Sequence, residues 1–179
     1  MTVELMRYPT DDDWNDVKLR ALVTSGFTKV KTAPTAEWKD KMLNCRHSPI
    51  RDLRFSFYIM DMPYWLSTEL SRHHEGCEKY IKSQRNDRQN NYDRNAARQD
   101  SPVNMIFDCN AESLMVVMNK RLCGRASKEM RELMHEIREL VVDKCPEFKP
   151  YLVPNCFYNG GVCHEMQCCG YNIAYGVKK

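Results

Sequence analysis

Residues 53–60 alternate strictly: Leu53, Phe55, Phe57 and Ile59 are interleaved with Arg54, Ser56, Tyr58 and Met60. That is the period of a strand with one buried face. Further along, Leu114, Val117, Met118 and Leu122 fall on a helical stripe. After an interruption at Gly124, a second stripe runs through Met130, Leu133, Met134, Ile137, Leu140 and Val141 as far as Cys145-Pro146. A period of 3.6 over this length marks amphipathic helices. A chain holding both periods must pack helices on a sheet, so the reading is an α+β fold: a mixed or antiparallel sheet flanked by long helices.

The remaining elements are shorter. Residues 3–6 read as a strand. Thr10 before three aspartates is a helix N-cap with carboxylates suited to the helix dipole, and Gly26 stops that helix. Thr35 opens a short helix over residues 36–43. Pro63 suits a first helical turn, with the helix running to about His74 and Gly76 near its end. Residues 82–99 lack large aliphatic side chains and read as a loop, and residues 102–108 as a second strand. Residues 1–153 form one domain in this reading, with residues 154–179 a cysteine-rich tail packed on it.

Hydrophobic residues make up 42% of the chain and charged residues 28%, a globular composition without the roughly 18-residue apolar run a membrane helix needs. The N-terminal residues have neither the basic nor the apolar region of a signal peptide, so the expected location is cytoplasmic. Nine cysteines is an odd number, which together with that location favours thiols over a disulfide framework. Net charge is only +3, yet Lys79, Lys82, Arg85, Arg88, Arg94 and Arg98 fall within one short stretch. That points to a local anionic ligand more than to wholesale nucleic-acid binding.

The chemistry concentrates at Arg72-His73-His74, placed on a helix, followed by Ser83-Gln84-Arg85 in a polar loop. Two arginines, imidazole and hydroxyl suit a phosphate or pyrophosphate. A solvated helix end with Glu69 pairing to Arg72 or His73 accounts for the first group equally well. Asn110 and Arg121 are eleven residues apart, about three helical turns, so both are expected on one face.

This arrangement resembles the flavin-dependent thymidylate synthases, whose signature is Arg-His-Arg, seven residues, then Ser-x-Arg. Other blocks follow in family order. His47-Ser48-Pro49 is similar to the His-x-Ser/Thr-Pro turn. Arg94-Asn95-Ala96-Ala97-Arg98 is similar to Arg-Glu-x-Ala-Arg, and Pro102-Val103-Asn104 to the Pro-x-Asn strand. The segments Asn110-Ala111-Glu112-Ser113-Leu114, Arg121 and Ala126-Ser127-Lys128-Glu129-Met130-Arg131 are similar to the family's final helix motifs. The resemblance covers residues 45–137. The departures are specific: the third signature residue is His74, eight residues rather than seven precede Ser83, and Glu69 stands where the family has glutamine.

The resemblance implies a single domain of that family's fold, with FAD held by His47, Ser48, Arg72, His73, His74 and Asn110. It implies a pyrimidine nucleotide, dUMP, held by Glu69, Ser83, Arg85, Arg98 and Arg121. Arg121 would polarise the base during reductive methylation at C5. Methylenetetrahydrofolate would supply the carbon and a nicotinamide nucleotide such as NADPH the reducing equivalents. Active sites would be shared between subunits of a homotetramer, with Arg98 contributed by a neighbour. Glu69 keeps open one-carbon transfer to a different pyrimidine nucleotide.

In the tail, Cys156, Cys163, Cys168 and Cys169 lie close in sequence with Gly160-Gly161 and Gly170 between and after them. Soft ligands on turns suit a structural zinc ion held by Cys156, Cys163 and Cys168; reduced, packed thiols are the alternative. A different class of function, a nucleic-acid-binding module, would join such a metal knuckle to the basic loop, with Tyr80 and Tyr92 as stacking residues.

Overall fold

The alternating run becomes the central strand of an antiparallel sheet in the computed structural model, which describes residues 1–88 and 93–171. Four strands form it: β1 (Thr2–Arg7), β2 (Arg54–Pro63), β3 (Cys77–Ile81) and β4 (Pro102–Asn110), in the order β1-β2-β4-β3. The register pairs Phe57 with Phe107 and Ile59 with Met105, so β2 and β4 present one apolar face. Phe55, Phe57, Ile59, Met105 and Phe107 are all buried. Between Ile59 and Met62 the β2–β4 register shifts. There Asp61 takes φ +52° and its N–H donates to Asn104 Oδ1 at 3.0 Å, a bulge that re-aims the strand into the following helix.

Two long helices, α4 (Ala111–Arg121) and α5 (Lys128–Lys144), belong to the layer that covers this face. The predicted stripe of α5 is the buried one: Met130, Leu133, Met134, Ile137 and Val141 have no measurable exposure. Each helix starts on a polar cap, Asn110 for α4 and Ser127 for α5. Helices α1 (Asp11–Val23) and α2 (Ala36–Asn44) precede β2. Thr10 and Asp13 exchange hydrogen bonds in a full capping box at the start of α1. The buried Trp14 of α1 donates through Nε1 to Glu147 at 2.8 Å.

Two expectations are corrected. Helix α3 (Tyr64–Ser71) ends with Arg72 as its C-cap, so the Arg72-His73-His74 motif leaves the helix rather than riding on it. The chain then turns at Gly76, φ +64°, directly into β3. That strand was not expected, because an edge strand of five residues with only Cys77, Lys79 and Ile81 facing inward carries no apolar alternation.

The start of the tail is tied down by Asn119, a buried polar residue of α4. Its Nδ2 donates to Tyr151 O at 3.1 Å and Val153 O at 2.7 Å, while its Oδ1 accepts from Arg46 Nη2 at 2.8 Å. Replacing Asn119 with alanine leaves these groups buried without partners. It should destabilise the fold by about 1–3 kcal/mol in urea denaturation.

Candidate active site

Asn110 closes β4 and opens α4, and three elements meet on it. Its N–H donates to Gly76 O at 3.0 Å, its Oδ1 accepts from Ser113 N–H at 2.8 Å, and Ser113 Oγ donates to Glu75 O at 2.7 Å. A Cβ added at Gly76 would stand 2.2 Å from Asn110 Nδ2 and 2.3 Å from Ser113 Oγ. Positive φ and this close approach both require glycine. The turn after α3 is thereby pressed against the start of α4, and the motif residues are held over a cleft.

That cleft, about 550 Å³, is lined by Arg51, Arg72, His73, His74, Glu75, Gly76, Asn110, Glu112, Ser113, Val116 and Val117. Arg51 pairs with Glu112 at 2.5 Å, which leaves Arg72 as the exposed cation on the opposite side. Arg72 with the imidazoles of His73 and His74, beside a short apolar wall of Val116 and Val117, suits a ligand that joins phosphates to a flat ring.

A second cleft, about 390 Å³, lies on the other side of His73 and is lined by Glu69, His73, Lys120, Arg121, Cys123, Arg125, Ala126 and Glu165. Arg121 dominates it. Its Nε–H donates to His73 Nε2 at 2.7 Å, its Nη1 to Glu69 Oε1 at 2.6 Å, and its Nη2 to the Glu69 carbonyl at 3.2 Å. Glu69 Oε2 in turn accepts from Ser127 Oγ at 3.2 Å. The guanidinium is therefore fixed in one plane by three contacts, about four-fifths buried, yet still faces the cleft.

His73 joins the two clefts. Burial, with the positive charges of Arg121, Lys79 and His74 around it, pushes its pKa down from 6.5 to about 4. It is thus neutral at pH 7, and the accepting Nε2 puts its proton on Nδ1.

The expected residues divide. Arg72, His73, His74 and Asn110 come together at the larger cleft, and Glu69 and Arg121 at the smaller. Asn110 and Arg121 do not share a cleft: Asn110 sits 7% exposed as the cap of α4, and Arg121 is at the other end. His47 and Ser48 start a short 3-10 turn and are exposed outside both clefts, although Arg51 on the same turn lines the larger one. Ser83, Arg85 and Arg98 also lie outside both. Arg85 is held by Asp87 through contacts of 2.9 and 2.5 Å, and Arg98 by Asp100 at 2.8 and 2.9 Å. Those local pairs lessen the basic character of the loop that a nucleic-acid module would need. Tyr92, invoked for stacking, lies outside the described residues.

Arg51, Ser113, Lys120 and Arg125 were not anticipated. Ser113 three residues after a capping asparagine was the one readable signal; the others depend on which side of a turn faces a cleft.

The zinc expectation is not met by the side chains: among the described residues no three His, Cys, Asp or Glu groups converge as metal ligands. Cys156 is buried, Cys168 lies near Cys163, and Cys169 lies near Cys123.

Residues 88–147 match the family model of the thymidylate synthase complementing protein. The fold is similar to that of thymidylate synthase X from Helicobacter pylori, solved with FAD and dUMP. Identity is 18%, over 88% of this chain and 99% of that one, with a TM-score of 0.67. A second structure, the flavin-dependent thymidylate synthase from Helicobacter pylori complexed with FAD and dUMP, is 16% identical over 87% and 99%, with a TM-score of 0.66. No curated protein matches the chain. The family that the ordered motifs resemble is thus the one the comparisons find.

Two measurements check this geometry. Gly76→Ala should cost about 1–3 kcal/mol from backbone strain and lower the thermal melting point, with the added methyl also displacing Asn110. For His73 the folded pKa lies below the unfolded one, so between pH 6.5 and about 4 the unfolded chain binds the extra proton. Its contribution to stability is complete above pH 6.5 and is lost as pH falls towards 4. Urea melts across that range should show this loss, and His73→Asn should flatten it.

Proposed function

We propose that this chain is a flavin-dependent thymidylate synthase, methylating dUMP at C5 with methylenetetrahydrofolate as carbon donor and NADPH as reductant. The observation that supports this most is the fixed Arg121 guanidinium beside neutral His73, between two clefts, in a fold similar to enzymes solved with FAD and dUMP.

The larger cleft fits the flavin by its donor set. Arg72 and His74 suit the pyrophosphate, Asn110 is the polar group on the wall, and Val116 and Val117 provide an apolar face. FAD, when bound, supplies hydride chemistry that no side chain can. The chain's own residues bind, orient and polarise. Arg121, held in plane by Glu69 and His73, donates to a carbonyl of the base and stabilises negative charge developing there. A neutral His73 keeps a second full positive charge away from Arg121, so that the guanidinium remains rigidly aimed. Lys120 and Arg125 at the cleft mouth draw in the nucleotide phosphate.

His47, Ser48, Ser83, Arg85 and Arg98 complete the sites in a homotetramer in which subunits share active sites. The exposure of His47, Ser48, Arg85 and Arg98 outside the clefts of a single chain supports that arrangement. No described helix is long and apolar enough to cross a membrane, and we place the enzyme in the cytoplasm.

Glu69 favours a second reading within the class. Its carboxylate is an acceptor only, so a nucleotide offering an N–H or an amine to it would bind better than one offering only carbonyls. The alternative is one-carbon transfer to such a pyrimidine.

Purified protein should show a flavin absorption band and convert dUMP in the presence of the two co-substrates. Arg121→Ala should keep the flavin band but lose about 2.7–4 kcal/mol of transition-state stabilisation, a 100- to 1000-fold fall in kcat. Protein that takes up no FAD, or a fully active Arg121→Ala enzyme, would refute the assignment. Activity on another pyrimidine nucleotide that exceeds activity on dUMP, and that Glu69→Gln reverses, would establish the second reading.

A further inference from the structure

The tail returns to the end of α4 and is fastened there at three points. Lys120 Nζ stands 3.4 Å from Glu165 Oε1, Arg125 Nη1 donates to Gln167 Oε1 at 2.9 Å, and Cys169 lies against Gly124. The last contact is close: a Cβ built on Gly124 would be 3.1 Å from Cys169 Sγ. Burial, with Cys169 and Glu165 close by, raises the pKa of the neighbouring Cys123 thiol. Cys123 and Glu165 also line the smaller cleft with Glu69 and Arg121. The tail therefore runs beside the cleft as a strap, and two sulfurs meet under its far end.

We propose that Cys123 and Cys169 form a reversible disulfide that ties the tail to the end of α4 beside the smaller cleft. Exposure sets the order of events. Cys169 is exposed and Cys123 partly so, hence a small disulfide such as oxidised glutathione reaches Cys169 first. The Cys169 thiolate attacks one glutathione sulfur, breaking its S–S bond and releasing one glutathione thiolate. The Cys123 thiolate then attacks the Cys169 sulfur and releases the second. The two protein thiols lose two electrons, oxidised glutathione gains them, and the two protons pass to the released thiolates. Desolvation holds the Cys123 thiol above its ordinary pKa, so the second step is faster as pH rises. A cross-strand pair, Cys77 and Cys109, partners in the β3–β4 register, is buried from any such reagent.

With the bond made, Glu165 is kept at the cleft mouth and a nucleotide there exchanges more slowly. Only this consequence rests on the function proposed above; the bond itself does not.

The test treats the full chain with oxidised glutathione under native conditions, alkylates the remaining thiols and maps the peptides. A linked pair containing Cys123 and Cys169, lighter by two hydrogens, reversed by dithiothreitol and absent from both Cys169→Ser and Cys123→Ser, is the expected result. Cys169 persisting as a mixed disulfide with glutathione, or Cys123 linked to Cys168 instead, would overturn the proposal. So would a Cys163–Cys168 bond forming while Cys123 and Cys169 stay alkylated. In the second arm, dUMP should leave the oxidised protein several-fold more slowly than the reduced protein, with no such difference in Cys169→Ser. The linkage with equal release rates would overturn the strap's effect on exchange. The linkage in a protein that binds no dUMP would count against the proposed function and leave the bond standing.

Discussion

Everything at the candidate site hangs on the contact between Gly76 and Asn110. The Asn110 N–H bonds to the Gly76 carbonyl, its side chain caps α4, and the adjoining Ala111 N–H donates to Leu53 O at 2.9 Å. Strand β4, helix α4, the turn after α3 and the entry to β2 are joined within a few residues. Backbone groups at a helix start must find partners, and here the partners they find are the segments that carry the motif. The separation of Gly76 and Asn110 leaves no space for a side chain, which is why the turn sits so precisely over the larger cleft.

Around Arg121 the governing effect is electrostatic. A half-exposed arginine on a helix end would ordinarily sample many rotamers. Here Glu69 neutralises it, the Glu69 carbonyl and His73 orient it, and Ser127 steadies Glu69 from the start of α5. Charge-assisted contacts of 2.6 and 2.7 Å are short for nitrogen donors. The cost is that Arg121 must share its charge with a carboxylate already in place, which makes Glu69 the residue most able to set what the smaller cleft accepts. Protonation of His73 would place two cations within hydrogen-bond distance, so the environment keeps the imidazole neutral.

The tail shows a different use of polar groups. Asn119 makes three bonds to two separate segments, Arg46 and residues 151–153, and fixes where the latter pass. Beyond them, α6 (Asn155–Tyr158) and glycine turns at positive φ bring the chain back, and charged and amide side chains settle residues 165–167 along α4. Sulfurs arrive beside one another as a result of this path. That Cys123 lies near Cys169 could not be read from spacing in the tail, because Cys123 belongs to a helix end far away in sequence.

What the sequence determined by itself was everything with a period or a local partner. The β2 alternation, the α5 stripe and the Thr10 and Thr35 caps all depend on residues a few positions apart, and they appear where the pattern put them. The ordered motifs likewise singled out Glu69, Arg72, His73, His74, Asn110 and Arg121, which line the two clefts. Tertiary structure alone decided how they group. Strand β3 exists because β4 offers it an open edge, not because its own residues demand it. Glu69 meets Arg121 rather than Arg72, because α3 ends at Ser71 and turns its motif outward while α4 runs past it. Asn110 and Arg121 fall in separate clefts because His73 stands between them. Distances between side chains far apart in sequence follow from packing, and no spacing within one segment encodes them.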